Sequence, residues 1–353
     1  MKTRRTPFTA VALLALLALL ALPALAAAQG ERIELTGDRV AIYNLAGEVT
    51  IESGSGSAVA VEITRGGDGG GRLGVERGTL DGRQTLRVLY PSDEIVYSGS
   101  ESRFNTEIRV RSDGTFGHGN DRDDRVRIRS SGDGLEAWAD MRILVPQGQE
   151  IAVYWGVGEA TIRNVNGQLL FDGSATHVTA SGTRGPLSVD VGSGRVEVTS
   201  AEGDVDVDTG SGNVEINGVN GDNLRVDTGS GRVTANGVNV TTLDIDTGSG
   251  RIDIDRTTAR DITLDTGSGS ISVVATENAR DIQIDTGSGS VTVGLPSSFG
   301  AQVELDTGSG GIDMDLPLTV RRWSRDHVTG TLGDGSGRLV VDTGSGSIRI
   351  REN

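Results

Sequence analysis

The chain has 353 residues, of which 53 are glycine, with 3% aromatic residues, no cysteine and a formal net charge of −16 at pH 7. This excludes a disulfide-stapled scaffold and a cysteine-lipidated N-terminus, and so acidic a surface argues against nucleic acid as a partner. Abundant glycine with few aromatics suits a fold of tight turns and small inward side chains rather than an ordinary globular core.

The first residues carry Lys2, Arg4 and Arg5, then an apolar run over residues 10–22, then Ala26, Ala27 and Ala28 before Gln29. Positive charge, a short apolar run and a small-residue site in that order predict a secretory signal peptide over residues 1–28. The run is too short for a spanning helix, and no later segment is apolar enough to be one. Losing Lys2, Arg4 and Arg5 takes the 33 cations to 30 against 49 acids, a mature charge near −19. The expected location is therefore outside the cytoplasm: periplasm, cell surface or medium.

Residues 29–140 read as irregular β-rich coils. The stretch AIYNLAGEVTI, residues 41–51, has the form of a coil turning at residues 44–47. A glycine-rich, mixed-charge insertion is expected at about residues 91–134, with strand-like alternation kept at residues 108–111 and 126–129. It predicts β-hairpins or a loop on the side of the first coils. Gly69, Gly71 and Gly74 match the spacing of a dinucleotide fingerprint, but no helical pattern follows them, so the match carries no weight.

From residue 141 to 353 the chain is periodic. The letters DTGSG begin at Asp208, Asp227, Asp246, Asp265, Asp285, Asp306 and Asp342, with DVGSG at Asp190. The intervals are 18 to 21 residues, then 36 before Asp342, which reads as two steps with one degenerate coil around Arg321, Arg322 and Trp323. Stepping back by 18 twice reaches Asp172 and then Tyr154. Apolar and polar letters alternate on both sides of each turn, as at Leu224, Val226 and Val233, and a second turn signal appears at Asn217-Gly218 and Asn236-Gly237. Alternation marks half-buried strands, and a fixed period too short to bury its own apolar face marks a solenoid. The fold class expected is all-β: a single-stranded parallel β-solenoid (β-helix) of about 19 residues per coil, right-handed by the rule for parallel crossovers although left-handed solenoids exist. About ten coils at 4.8 Å make a rod on the order of 50 Å long.

Asp-Thr-Gly-Ser is the sequence that surrounds the catalytic carboxylate of aspartic proteases, yet such an enzyme needs two loops whose carboxylates meet. Stacked coils would instead hold Asp190, Asp208, Asp227, Asp246, Asp265, Asp285, Asp306 and Asp342 in one line. They are expected to cap the turns, accepting hydrogen bonds from the glycine and serine amides that follow, while the glycines supply left-handed φ at the corner. Adjacent carboxylates in such a line repel by about 1 kcal/mol in water, so a calcium-binding ladder is the alternative reading; no cofactor is otherwise expected. The threonine column beside them is expected to stack by hydrogen bonds between neighbouring hydroxyls. Tyr154 and Trp155, standing in place of Asp-Thr, are expected to close the end of the stack. His118, His177 and His327 show no spacing suited to zinc, no P-loop lysine or G-x-S-x-G is present, and no catalytic residue is assigned.

The signal-like N-terminus, MRILVPQGQEIAVYWGVGEATI from residue 141, the tandem VDTGSG units and the closing LGDGSGRLVVDTGSGSIRI together resemble the bacterial adhesin-like family of exported β-strand-repeat proteins, a domain of unknown function. The resemblance is strong over residues 141–350 and weak over residues 32–90. It implies a β-solenoid in the cell envelope and brings no functional residues with it. The expected function is a non-enzymatic binding scaffold making multivalent contacts with an envelope or extracellular polymer or protein. A glycan-active β-helix enzyme with its site beneath the insertion, or a purely structural spacer, are the alternatives.

Overall fold

The structure is a computed structural model and describes residues 31–99, 103–117 and 123–353. The predicted leader over residues 1–28 lies outside the described residues. No α-helix occurs among them; the Gly70–Arg72 segment near the glycine fingerprint is a single 3-10 turn leading into a strand.

Among the described residues twenty-seven strands form one continuous hydrogen-bonded system. It resolves into two ladders that share a core. In the first, Gly74–Leu80 and Arg83–Leu89 are followed by Arg39–Ala46, then by the leading halves of Gln149–Arg163 and Gly167–Ser181. Leu187–Ser193, Val205–Ser211, Asn223–Thr228, Thr242–Thr247, Asp261–Thr266 and Asp281–Ser288 then stack in parallel. In the second ladder Glu31–Thr36, Ala58–Gly66, Trp138–Val145 and Val49–Ser53 lead to the trailing halves of the same two long strands. Val196–Glu202, Val214–Asn220, Val233–Asn239, Ile252–Thr257, Ile271–Ala275 and Val291–Leu295 continue it. Register follows the motif: Tyr43 lies beside Tyr154, Tyr154 beside Asp172, Asp172 beside Asp190, and so on through Asp208, Asp227, Asp246, Asp265 and Asp285.

Alternation explains the core. Leu224, Val226, Val233 and Val238 of one coil, and Leu243, Ile245, Ile252 and Ile254 of the next, point inward and are buried, while Arg225, Thr234 and Asn239 between and beyond them face solvent. A one-residue slip would turn each of these sets outward, so burial locks the register. A second turn forms a column of left-handed residues: Asn164, Gly182, Ser200, Gly218, Gly237 and Arg256, with φ from 53° to 75°.

The far end corrects the sequence reading. The interval before Asp342 holds an antiparallel hairpin, Leu318–Trp323 with His327–Leu332, rather than a degenerate coil. Ser324 turns the chain there, its amide donating to the His327 carbonyl (2.8 Å) and its hydroxyl to Asp326 (2.8 Å). Because the hairpin takes one edge of Ala301–Thr307, the other edge pairs with Gly337–Ser345, which in turn pairs with Asp281–Ser288. Asp342 therefore sits between Asp285 and Asp306, and the last coil in sequence is not the last in space.

Candidate binding surface

Each corner passes from an outward aspartate through an inward threonine to Gly-Ser-Gly. Thr209, Thr228, Thr247, Thr266, Thr286, Thr307 and Thr343 are all buried. The hydroxyls of Thr266, Thr286, Thr307 and Thr343 donate to the carbonyls of Gly250, Gly269, Gly346 and Gly289 at 2.8–3.1 Å. Those of Thr209, Thr228 and Thr247 have no partner. The expected hydrogen bonding between neighbouring threonines is thus replaced by bonding to the adjacent coil's backbone, since the side chains point into the core instead of along a surface.

The glycines are needed for space, not for a left-handed backbone as expected. A Cβ on Gly231, Gly250 or Gly269 would lie 1.8–1.9 Å from the carbonyl oxygen of Gly212, Gly231 or Gly250 beneath it, and none of the three has positive φ. Corners stack too closely for any side chain there.

Asp190, Asp208, Asp246, Asp265, Asp285 and Asp342 are exposed, and Asp227 and Asp306 half-buried, in one line. The strand runs on through the glycine and serine in Leu187–Ser193, Val205–Ser211, Asp281–Ser288 and Gly337–Ser345, and ends at the threonine in Asn223–Thr228, Thr242–Thr247 and Asp261–Thr266, where the next glycine amide does not cap the aspartate. The glycine amides go instead to the neighbouring coil: Gly229 donates to the Thr209 carbonyl, Gly248 to Thr228 and Gly267 to Thr247, at 3.1–3.2 Å. Asp208, Asp265 and Asp342 consequently titrate above the ordinary aspartate range, raised first by partial burial and then by the carboxylates on either side. Asp306 pairs with His327 Nδ1 at 2.8 Å, and Arg225 lies 3.6 Å from Asp227. The aspartates run side by side in successive coils rather than meeting in pairs across a cleft. Among the described residues no three His, Asp or Glu side chains converge on a metal-sized site. His177 uses Nδ1 to accept the Arg195 amide at 2.9 Å, and His118 lies outside the described residues.

Only this corner is chemically uniform. Ser193, Ser211, Ser230, Ser249, Ser268, Ser288, Ser345 and Ser309 are exposed along it beside the aspartates. The flat faces vary: one outward row reads Ser188, Asp206, Arg225, Asp244, Thr263, Gln283.

Tyr154 and Trp155 do not close the stack, because Arg39–Ala46 lies next to them. Trp155 is buried and donates through Nε1 to the Gly47 carbonyl at 2.8 Å; Tyr154 stacks on Tyr43 with ring centres 4.5 Å apart. Trp155 belongs to the core of the rod, while the insertion packs against Tyr43 and Tyr154. Its strands Glu94–Val96, Asn105–Val110, Asp124–Arg129 and Leu135–Glu136 form a separate four-stranded sheet. Ile95, Ile108, Val110, Val126 and Ile128 pack in a second core on Leu45, Ala46 and Val157. Alternation in this segment was legible, but nothing local showed which surface it would cover. Between sheet and rod is a cleft of about 720 Å³, with Leu45, Val88, Val110 and Val126 among its apolar residues and Arg72, Arg111 and Arg125 among its charged ones.

Among the described residues no helix is long and apolar enough to cross a membrane. Among solved structures the chain is similar to one described as "a putative cell adhesion protein" from Clostridium sporogenes ATCC 15579, with 10% identity over 92% of this chain and 99% of that one and a TM-score of 0.21. No curated protein matches. The family model described as Toastrack DUF4097 matches residues 125–351, more than half of the sequence. The chain belongs to the Toastrack DUF4097 family.

Proposed function

We propose that the protein is an exported, non-enzymatic scaffold whose uniform corner makes many weak contacts with a polymer or protein of the cell envelope. The observation that carries this reading is the in-register edge of outward-facing aspartates, with exposed serines beside them, running from Asp190 to Asp306. A row of equivalent groups at the coil spacing of roughly 4.8 Å matches a ligand that itself repeats, and linked weak contacts multiply into avidity. The coil is taken as right-handed, by the preference of parallel crossovers, with a period near 19 residues. Export rests on the order of charge, apolar run and small residues at the N-terminus.

Whole-coil deletion tests the idea. Removing residues 229–247 joins Thr228 to Gly248 and keeps the register that pairs Thr228 with Thr247; removing residues 210–247 takes out two coils. Cosedimentation with purified cell-wall sacculi and outer-envelope fractions should weaken step by step with coil number. Binding indifferent to coil number would point to a single local site, and no binding to any fraction would leave a structural spacer.

A further inference from the structure

The end of the rod beyond the last coil differs from the rest of the surface. The only large apolar side chains exposed among the described residues are Val320 (51%) and Trp323 (52%), and both lie on Leu318–Trp323. That strand is exposed on both faces except at Leu318, and it is paired along one edge only, with His327–Leu332. Arg321 and Arg322 are exposed on it, in a chain that is otherwise strongly acidic.

The second ladder ends differently. Its last strand, Ile312–Met314, pairs only with Ile348–Glu352. Ile312 and Met314 are half-buried at the margin of the core, and Asp313 and Asp315 are exposed. The first ladder runs two strands past Ala301–Thr307, whereas the second stops in the same coil as that strand. The end is therefore a step, with a tall side carrying valine, tryptophan and two arginines and a low side carrying isoleucine, methionine and two aspartates.

We propose that this stepped end is a homodimer interface, in which a second copy of the chain sets its tall side on the low side of the first. A two-fold axis parallel to the strands and midway between the ladders makes this contact twice. Each contact joins two free strand edges, brings Val320 and Trp323 to Ile312 and Met314, and brings Arg321 and Arg322 to Asp313 and Asp315. A two-fold interface must be self-complementary, and this end holds both halves of the match. Tryptophan and arginine are the residues that most often dominate such contacts. Pairing of two tall sides is opposed, because arginines would face arginines and the strand is bulged next to Arg321. Arg349 lies 3.3 Å from Asp313, but the Asp313 side chain stays 62% exposed, so this surface pair does not withdraw it.

Sedimentation equilibrium of the purified protein tests the interface. The wild-type chain should pass from monomer to dimer with concentration, with a blue shift of Trp323 emission. R321E/R322E and D313R/D315R should each weaken association about a hundredfold, since like charges then face each other. Mixed in equal amounts, the two variants should dimerise again, because each supplies the charge that the other has reversed. Recovery in the mixture also shows that both variants are folded. A wild-type monomer at all concentrations, association that survives both reversals, or a mixture of well-folded variants that stays monomeric would each overturn the proposal.

Discussion

Four threonines of the inward column bond to the next coil and three do not, so one substitution has opposite consequences at two places in the same repeat. Thr286 donates to the Gly269 carbonyl at 3.0 Å, whereas the Thr228 hydroxyl is buried without a partner. Valine has the shape of threonine and suits a strand at least as well. At Thr286, Thr→Val removes a hydrogen bond whose net worth is about 1 kcal/mol, so the protein should lose about that much. At Thr228 the same change removes a hydroxyl whose unpaired burial costs roughly 1–3 kcal/mol, so the protein should gain about 1 kcal/mol or more. The two variants should therefore differ by about 2 kcal/mol with opposite signs. Calorimetric or urea unfolding at neutral pH measures it, with Thr343→Val expected to follow Thr286→Val and Thr247→Val to follow Thr228→Val. Equal destabilisation at all four positions would refute the reasoning and show that the hydroxyls act alike.

Two glycines separate conformational from steric demand: Gly218→Ala, at φ 75° with nothing closer than 3.8 Å, should cost about 1 kcal/mol, and Gly231→Ala, whose Cβ would lie 1.8 Å from the Gly212 carbonyl, about 3 kcal/mol. Comparable losses in chemical denaturation would contradict the close-stacking account. The raised titration of Asp265 means that the folded state holds its proton to higher pH than the unfolded state does. Stability therefore falls as pH rises through that window, and Asp265→Asn should raise the melting temperature at neutral pH but leave it unchanged well below the ordinary aspartate range. An equal shift at both pH values would rule out ionisation of the partly buried carboxylate beside its neighbours as the cause.

Much of the fold is local and was therefore legible. The alternation of Leu224, Val226 and Val233, and the recurrence of Asp-Thr-Gly-Ser-Gly, state strand, face and coil register directly, because side chains alternate with period two and equivalent residues stack. The roles inside the motif were less legible. Asp208 looks like a turn cap in one dimension, but the chain stays extended through Gly210 and Ser211, and only the stacked neighbours show that the amides are used between coils. Gly231 looks like a turn glycine until the carbonyl of Gly212 is placed under it.

Sequence by itself determined the all-β repeat, the alternation of inward and outward residues along its strands and the alignment of the aspartates, since each depends on spacing along the chain. Tertiary structure alone decided the order in which coils meet. Asp342 lies between Asp285 and Asp306 because identical corners can stack on one another in any order, and the choice falls to the Leu318–Trp323 and His327–Leu332 hairpin, which occupies the outer edge of Ala301–Thr307. The insertion sheet was placed in the same way, by apolar surface on Ile108 and Ile128 finding its complement on Leu45 and Val157, residues distant in sequence whose meeting no local pattern encodes.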